Sequence, residues 1–115
     1  MSKGPEYQRQ KRLTDALTLF GWRWVHSRPA ITAKGWRTAL EGSPGFVDIL
    51  AVHPERRVLL FVEVKAEKGR RTPDQALWGK ALSQVGVRQS ASAYWLADSD
   101  ASEAALLAVI SDGRA

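Results

Sequence analysis

The stretch VLLFVEVKAEKGR, Val58 to Arg70, decides how this chain is read. Six of its first seven residues are apolar, the pattern of a strand covered on both faces, yet it ends by offering Glu63 and Lys65 to one side. Upstream, FVDILAV (Phe46 to Val52) is a second strand, joined to the first around His53-Pro54-Glu55-Arg56, a connection short enough for an antiparallel hairpin. Opposed residues in such a pair keep a constant sum. With Val52 opposite Leu59, Leu50 therefore falls opposite Phe61 and Asp48 opposite Glu63. Two carboxylates roughly 5 Å apart repel unless one is protonated or a cation lies between them. A hard divalent ion such as Mg²⁺, which takes oxygen ligands and completes its shell with water or phosphate, resolves that repulsion. Lys65 beside it would orient a water or neutralise developing charge.

By itself Glu63-Val64-Lys65 carries little, since an acid, any residue and a lysine recur by composition about once in a chain of this size. Its weight comes from its company: the apolar strand before it, the acid in register, and Lys68, Arg70 and Arg71 directly after it. Next comes Thr72-Pro73-Asp74-Gln75, a capping box that opens a helix ending near Gly86. Gln75 fits two roles, the cap and a contact to DNA or to metal-bound water. A further strand is expected within Ser92 to Leu96, and a last helix over Ala101 to Ile110.

On the other side of the hairpin, Gly4-Pro5-Glu6 starts a helix that runs to Phe20 and stops at Gly21. Leu13, Leu17 and Phe20 form its expected core stripe. Stepping back along that stripe brings Gln10 and Glu6 to the same side, where Glu6 either complements the helix dipole or belongs to a site. Trp22 to His26 alternates as a short strand. Ser27 to Ser43 reads as a long loop containing KGWRT, with Lys34, Trp36 and Arg37 as candidate contacts to nucleic acid. Trp78 and Trp95 suit core packing. His26 and His53 have no partner at ligand spacing and read as a strand-end and a turn histidine. The expected order is αβββαβα, a single α/β domain over residues 1–115.

The chain has 115 residues, no cysteine and net charge +5. Disulfides, thiolate metal sites and cysteine nucleophiles are therefore excluded. Charge is uneven: Met1 to Ser90 carries 16 Lys and Arg against 8 Asp and Glu, net +8, whereas Ala91 to Ala115 carries 1 against 4, net −3. Clusters at Arg9, Lys11 and Arg12, at Lys34 and Arg37, and at Lys68, Arg70 and Arg71 point to a polyanionic partner. The opening MSKGPEYQRQKRL has no apolar h-region, and no run is long enough to span a bilayer, so a soluble cytoplasmic protein without membrane contact is expected.

The segment GFVDILAVHPERRVLLFVEVKAEKGRRTPDQALW resembles the VRR-NUC branch of the PD-(D/E)XK nucleases. Members read G-x-P-D, a hairpin, E-x-K, then a basic turn leading to a helix with glutamine and tryptophan in its first turns. The likeness covers Gly45 to Leu82 closely and Glu6 to Gly21 more loosely. It implies a restriction-endonuclease-like mixed sheet flanked by helices, with Asp48, Glu63 and the Val64 carbonyl as metal ligands and Lys65 as catalytic lysine. Gln75 would be the family's helix glutamine and Glu6 its first-helix acid. Val47 departs from the pattern, standing where the family usually has proline. The activity implied is Mg²⁺-dependent cleavage of DNA, branched or flapped, with Mn²⁺ substituting, and a homodimer where both strands are cut. The alternatives are a catalytically silent nuclease-fold DNA-binding module and a basic interaction protein with no DNA role.

Overall fold

The computed structural model describes residues 4–27, 30–32, 35–37, 41–85 and 93–112. In chain order these form α1 (Pro5–Leu19), β1 (Arg23–His26), β2 (Ala30–Thr32), β3 (Gly35–Arg37), β4 (Ile49–His53), β5 (Val58–Val64), α2 (Pro73–Val85), β6 (Ala93–Ala97) and α3 (Asp100–Ser111). The order αβββαβα holds once β2 and β3 are set aside. Those two strands pair antiparallel as a separate hairpin, Ala30 with Arg37 and Thr32 with Gly35, inside the segment expected to be an unbroken loop. Extended structure suits β-branched Ile31 and Thr32, but three-residue strands are too short for an alternation to show in sequence.

The other four strands make one mixed sheet, ordered β1-β4-β5-β6, with β1, β4 and β5 antiparallel and β5 parallel to β6. The parallel step from β5 to β6 needs a crossover, and α2 supplies it. One face of the sheet carries Ile49, Ala51, Val58, Leu60 and Val62, which form a single core with Leu13 and Leu17 of α1 and with Leu106 and Ile110 of α3. On the other face α2 comes down on β6. A side chain at Gly79 would meet the Tyr94 ring at 2.8 Å, so the helix sits that close only because this residue is glycine. β5 is thus fully covered on the α1 and α3 face, while on the other Leu59 and Phe61 stay half-buried and Glu63 is buried.

Three local departures matter for the site. The strand expected from Phe46 begins at Ile49, because Gly45 (φ +84°) turns the chain tightly against the start of α2, where a Cβ would lie 2.6 Å from the Asp74 backbone. Phe46 instead packs edge-on against Trp78, ring centres 4.9 Å apart. Phe20 is outside the core, 42 % exposed, since α1 ends one residue earlier and Gly21 turns the chain so that Trp22 takes the inward place. Among the described residues Trp22 is the buried tryptophan. Its Nε1 donates to the Ile110 carbonyl at 3.0 Å, whereas Trp95 only borders the core and Trp78 lies beside the lead-in loop. No described helix is long and apolar enough to cross a membrane.

Candidate active site

The hairpin register is the expected one: Val52 pairs with Leu59, Leu50 with Phe61 and Ile49 with Val62. One step further lies Asp48, whose N–H donates at 3.0 Å to the carbonyl of Val62, the residue already paired with Ile49, so the regular ladder gives way to a bulge there and does not run on to a direct Asp48–Glu63 pair. Regular β4 ends there. The Val64 N–H, which would otherwise face no strand, donates instead to Asp48 Oδ2 at 2.7 Å. The Asp48 carbonyl in turn accepts from Ser27 N–H at 2.8 Å, carrying the ladder on toward β1. Both the backbone and the side chain of Asp48 are therefore held by neighbouring strands.

Glu63 is fully buried, and no donor among the described residues reaches either of its carboxyl oxygens. Burial first, and then the Asp48 charge, pushes its pKa up to about 8, against the pull of the Lys65 ammonium. Burial also raises Asp48, opposed by the hydrogen bond from Val64 and by the positive fields of Lys65 and His26. Both carboxyls are thus driven toward keeping a proton, each chiefly by burial. Lys65 acts on both carboxyls through its charge. Its backbone is clamped on two sides: its N–H donates to the Ala97 carbonyl at 2.9 Å, and its carbonyl accepts from Arg9 Nη1.

Beside the pair opens a cleft of about 200 Å³, lined by Glu6, Tyr7 and Gln10 of α1, by His26 and Ser27 at the end of β1, and by Asp48 and Val64. Glu6 is exposed at this cleft, and its charge is felt by Glu63. Gln10 Nε2 lies 3.3 Å from His26 Nδ1, which fixes the imidazole against the cleft wall. Sequence reasoning placed Gln10 beside Glu6 but gave it no role, and it read His26 as a strand-end histidine without a ligand partner. The signal for Gln10 was its place four residues after Glu6. His26 carried none, because only the pairing of β1 with β4 (His26 opposite Ile49) brings it to Asp48.

A divalent cation fits the donor set. Two carboxyls face each other, and one is buried with both oxygens unsatisfied, an arrangement a hard cation would satisfy and a proton satisfies only in part. Among the described residues no three of His, Cys, Asp and Glu come together as a metal-holding group. Glu6 belongs to the same cleft without completing such a group.

The remaining candidates divide. Gln75 closes the expected capping box: its Oε1 accepts from Thr72 N–H at 2.8 Å, and its own N–H donates to Thr72 Oγ1 at 3.1 Å. Lys68, Arg70 and Arg71 are exposed just past the pair, on a turn closed by Gly69 N–H to the Ala66 carbonyl at 2.8 Å, and Arg71 also reaches the Tyr94 hydroxyl at 3.2 Å. Lys34 and the side chains of Trp36 and Arg37 lie outside the described residues. The Arg9, Lys11 and Arg12 cluster is not the free basic patch expected from sequence. Arg9 and Arg12 both pair with Glu103, and Lys11 pairs with Asp15.

Comparison of the chain with family models and with characterised proteins yields no match.

Proposed function

We propose that this chain is a Mg²⁺-dependent endonuclease of the VRR-NUC type, with a restriction-endonuclease-like sheet, that hydrolyses phosphodiester bonds in DNA, nicking or cutting branched and flapped structures. The observation that carries the reading is Glu63, buried with both carboxyl oxygens unsatisfied, next to Asp48, which itself lines an adjoining cleft. A protein gains nothing in stability from two buried acids at one sheet end, whereas a phosphodiester hydrolase needs oxygen ligands there. Asp48, Glu63 and the Val64 carbonyl would hold Mg²⁺, or Mn²⁺ in its place. When bound, the ion supplies Lewis-acid polarisation of the phosphoryl oxygens.

The chain's own groups do the rest. Glu63 gives up its proton on loading, and the Val64 N–H keeps the Asp48 carboxylate aimed at the same point. Lys65 orients the attacking water and offsets the charge that builds on phosphate as one P–O bond forms and another breaks. Lys68, Arg70 and Arg71 hold the neighbouring phosphates, which sets position more than sequence choice. One site cuts one strand, so cleavage of both strands calls for a homodimer.

The lack of a third metal-ligating group among the described residues favours a second reading, a catalytically silent nuclease-fold module that binds DNA. Purified protein assayed with Mg²⁺ or Mn²⁺ on plasmid, flap and four-way-junction substrates separates the two. Cleavage lost in Lys65→Ala with binding retained supports the enzyme; binding without cleavage of any substrate supports the module.

A further inference from the structure

Arg9 spends a buried guanidinium on one backbone atom of the site. It is 5 % exposed and reaches three groups far away in sequence: Glu103 Oε1 at 2.9 Å through Nε, Asp100 Oδ1 at 3.1 Å through Nη2, and the Lys65 carbonyl through Nη1. Glu103 is itself buried and already satisfied by Arg12, which donates to both of its oxygens at 2.6 and 2.8 Å. The tie between α1 and α3 would therefore survive without Arg9. A buried charged network is a poor source of stability compared with apolar packing of the same volume. What Arg9 adds is its third bond. Residue 65 is the first beyond regular β5, where β4 has already ended, and its N–H is held by Ala97 of β6. Without Arg9 the carbonyl side would be free to turn, and with it the bond that aims the lysine side chain.

We propose that Arg9 is a positioning residue for Lys65, held rigid by Glu103 and Asp100 so that the lysine side chain leaves the backbone toward the Asp48–Glu63 pair. The proposal rests on the catalytic role assigned to Lys65 above. Misplacement of about 1 Å at a reacting group costs up to about 100-fold in rate. Arg9→Met is accordingly expected to lower the single-turnover cleavage rate about 10- to 100-fold, with little change in KM or in Mn²⁺ affinity.

The test is a double-mutant cycle with two readouts, on full-length Arg9→Met, Lys65→Met and the double variant. Arg9→Met is expected to slow cleavage in wild type and to add nothing in the Lys65→Met background. The second readout needs no activity: NMR titration of the ¹³C-labelled Glu63 carboxyl in metal-free protein. Lys65→Met is expected to raise its midpoint, Arg9→Met to raise it in the same direction, and the double variant to match Lys65→Met alone. An Arg9 effect that persists undiminished without Lys65 is a direct or structural one and overturns the proposal. So does a folded Arg9→Met protein with wild-type rate and midpoint. If wild type cleaves nothing, the nuclease reading fails while the titration still decides the positioning. Should Arg9→Met not fold, Arg9→Lys, which keeps the charge but cannot span three acceptors, takes its place in the same cycle.

Discussion

Glu63→Gln in metal-free protein tests the physical core of the site. In the unfolded chain this carboxyl titrates near 4.5, and in the folded protein near 8. Between those values the native state holds a proton that the unfolded state has released, so unfolding stability falls as pH rises through the window, and the loss is complete above about 8. A shift of this size corresponds to a loss on the order of 5 kcal/mol, at 1.36 kcal/mol per pH unit. Small domains are stable by only about 5–15 kcal/mol, so the effect would dominate the pH profile. Glutamine mimics the protonated acid and can donate to Asp48. Glu63→Gln is therefore expected to flatten the profile between pH 5 and 8 and to leave the variant more stable than wild type at pH 8.5. Urea unfolding followed by tryptophan fluorescence, in EDTA at each pH, measures both. Adding Mn²⁺ should restore much of the wild-type loss, by about 2.7 kcal/mol at 100 times its Kd, and should leave Glu63→Gln unmoved. Wild-type stability that is flat or rising from pH 5 to 8, or an unchanged slope in Glu63→Gln, would refute the protonated pair and with it the argument for a cation.

Other outcomes follow from the same geometry. Asp48→Ala and Glu63→Ala are expected to abolish Mn²⁺ binding by calorimetry while the fold survives, and wild-type affinity in either would remove that residue from the ligand set. Lys65→Ala should bring cleavage to background with DNA retention in gel shift within a few-fold of wild type. Hydrogen bonding from Arg12 and Arg9 holds the Glu103 pKa below its usual value against burial, so this residue stabilises the fold above the ordinary carboxylate range and loses that contribution as pH falls through its lowered pKa. Glu103→Ala leaves the buried Arg9 only Asp100 and the Lys65 carbonyl as partners and should lower stability in urea unfolding at pH 7. Leu60→Ala, at a fully buried position of β5, should cost about 2–5 kcal/mol by the same method.

Much of this site was legible before any tertiary structure, for a local reason. The pairing of β4 with β5 follows from turn length and alternation and could be counted off along the chain from Val52 and Leu59 to Ile49 and Val62, whereas the bulge that shifts Asp48 onto Val62 could not. The capping box at Thr72 and Gln75 was equally local, and both of its bonds form. Burial and pairing with distant elements were not legible. His26 reaches the cleft only because β1 lies beside β4, and Gly45 and Gly79 are required only where α2 packs against the lead-in loop and Tyr94. Arg9 looked like one member of a basic surface cluster, yet its partners lie 56 to 94 residues away, a separation over which no periodicity carries information. By itself, then, the sequence determined the strand pair and its register, because short-range backbone geometry is a property of adjacent residues. Only the tertiary structure decided which charges lose their water and which stay solvated, because burial depends on every element that packs around a group.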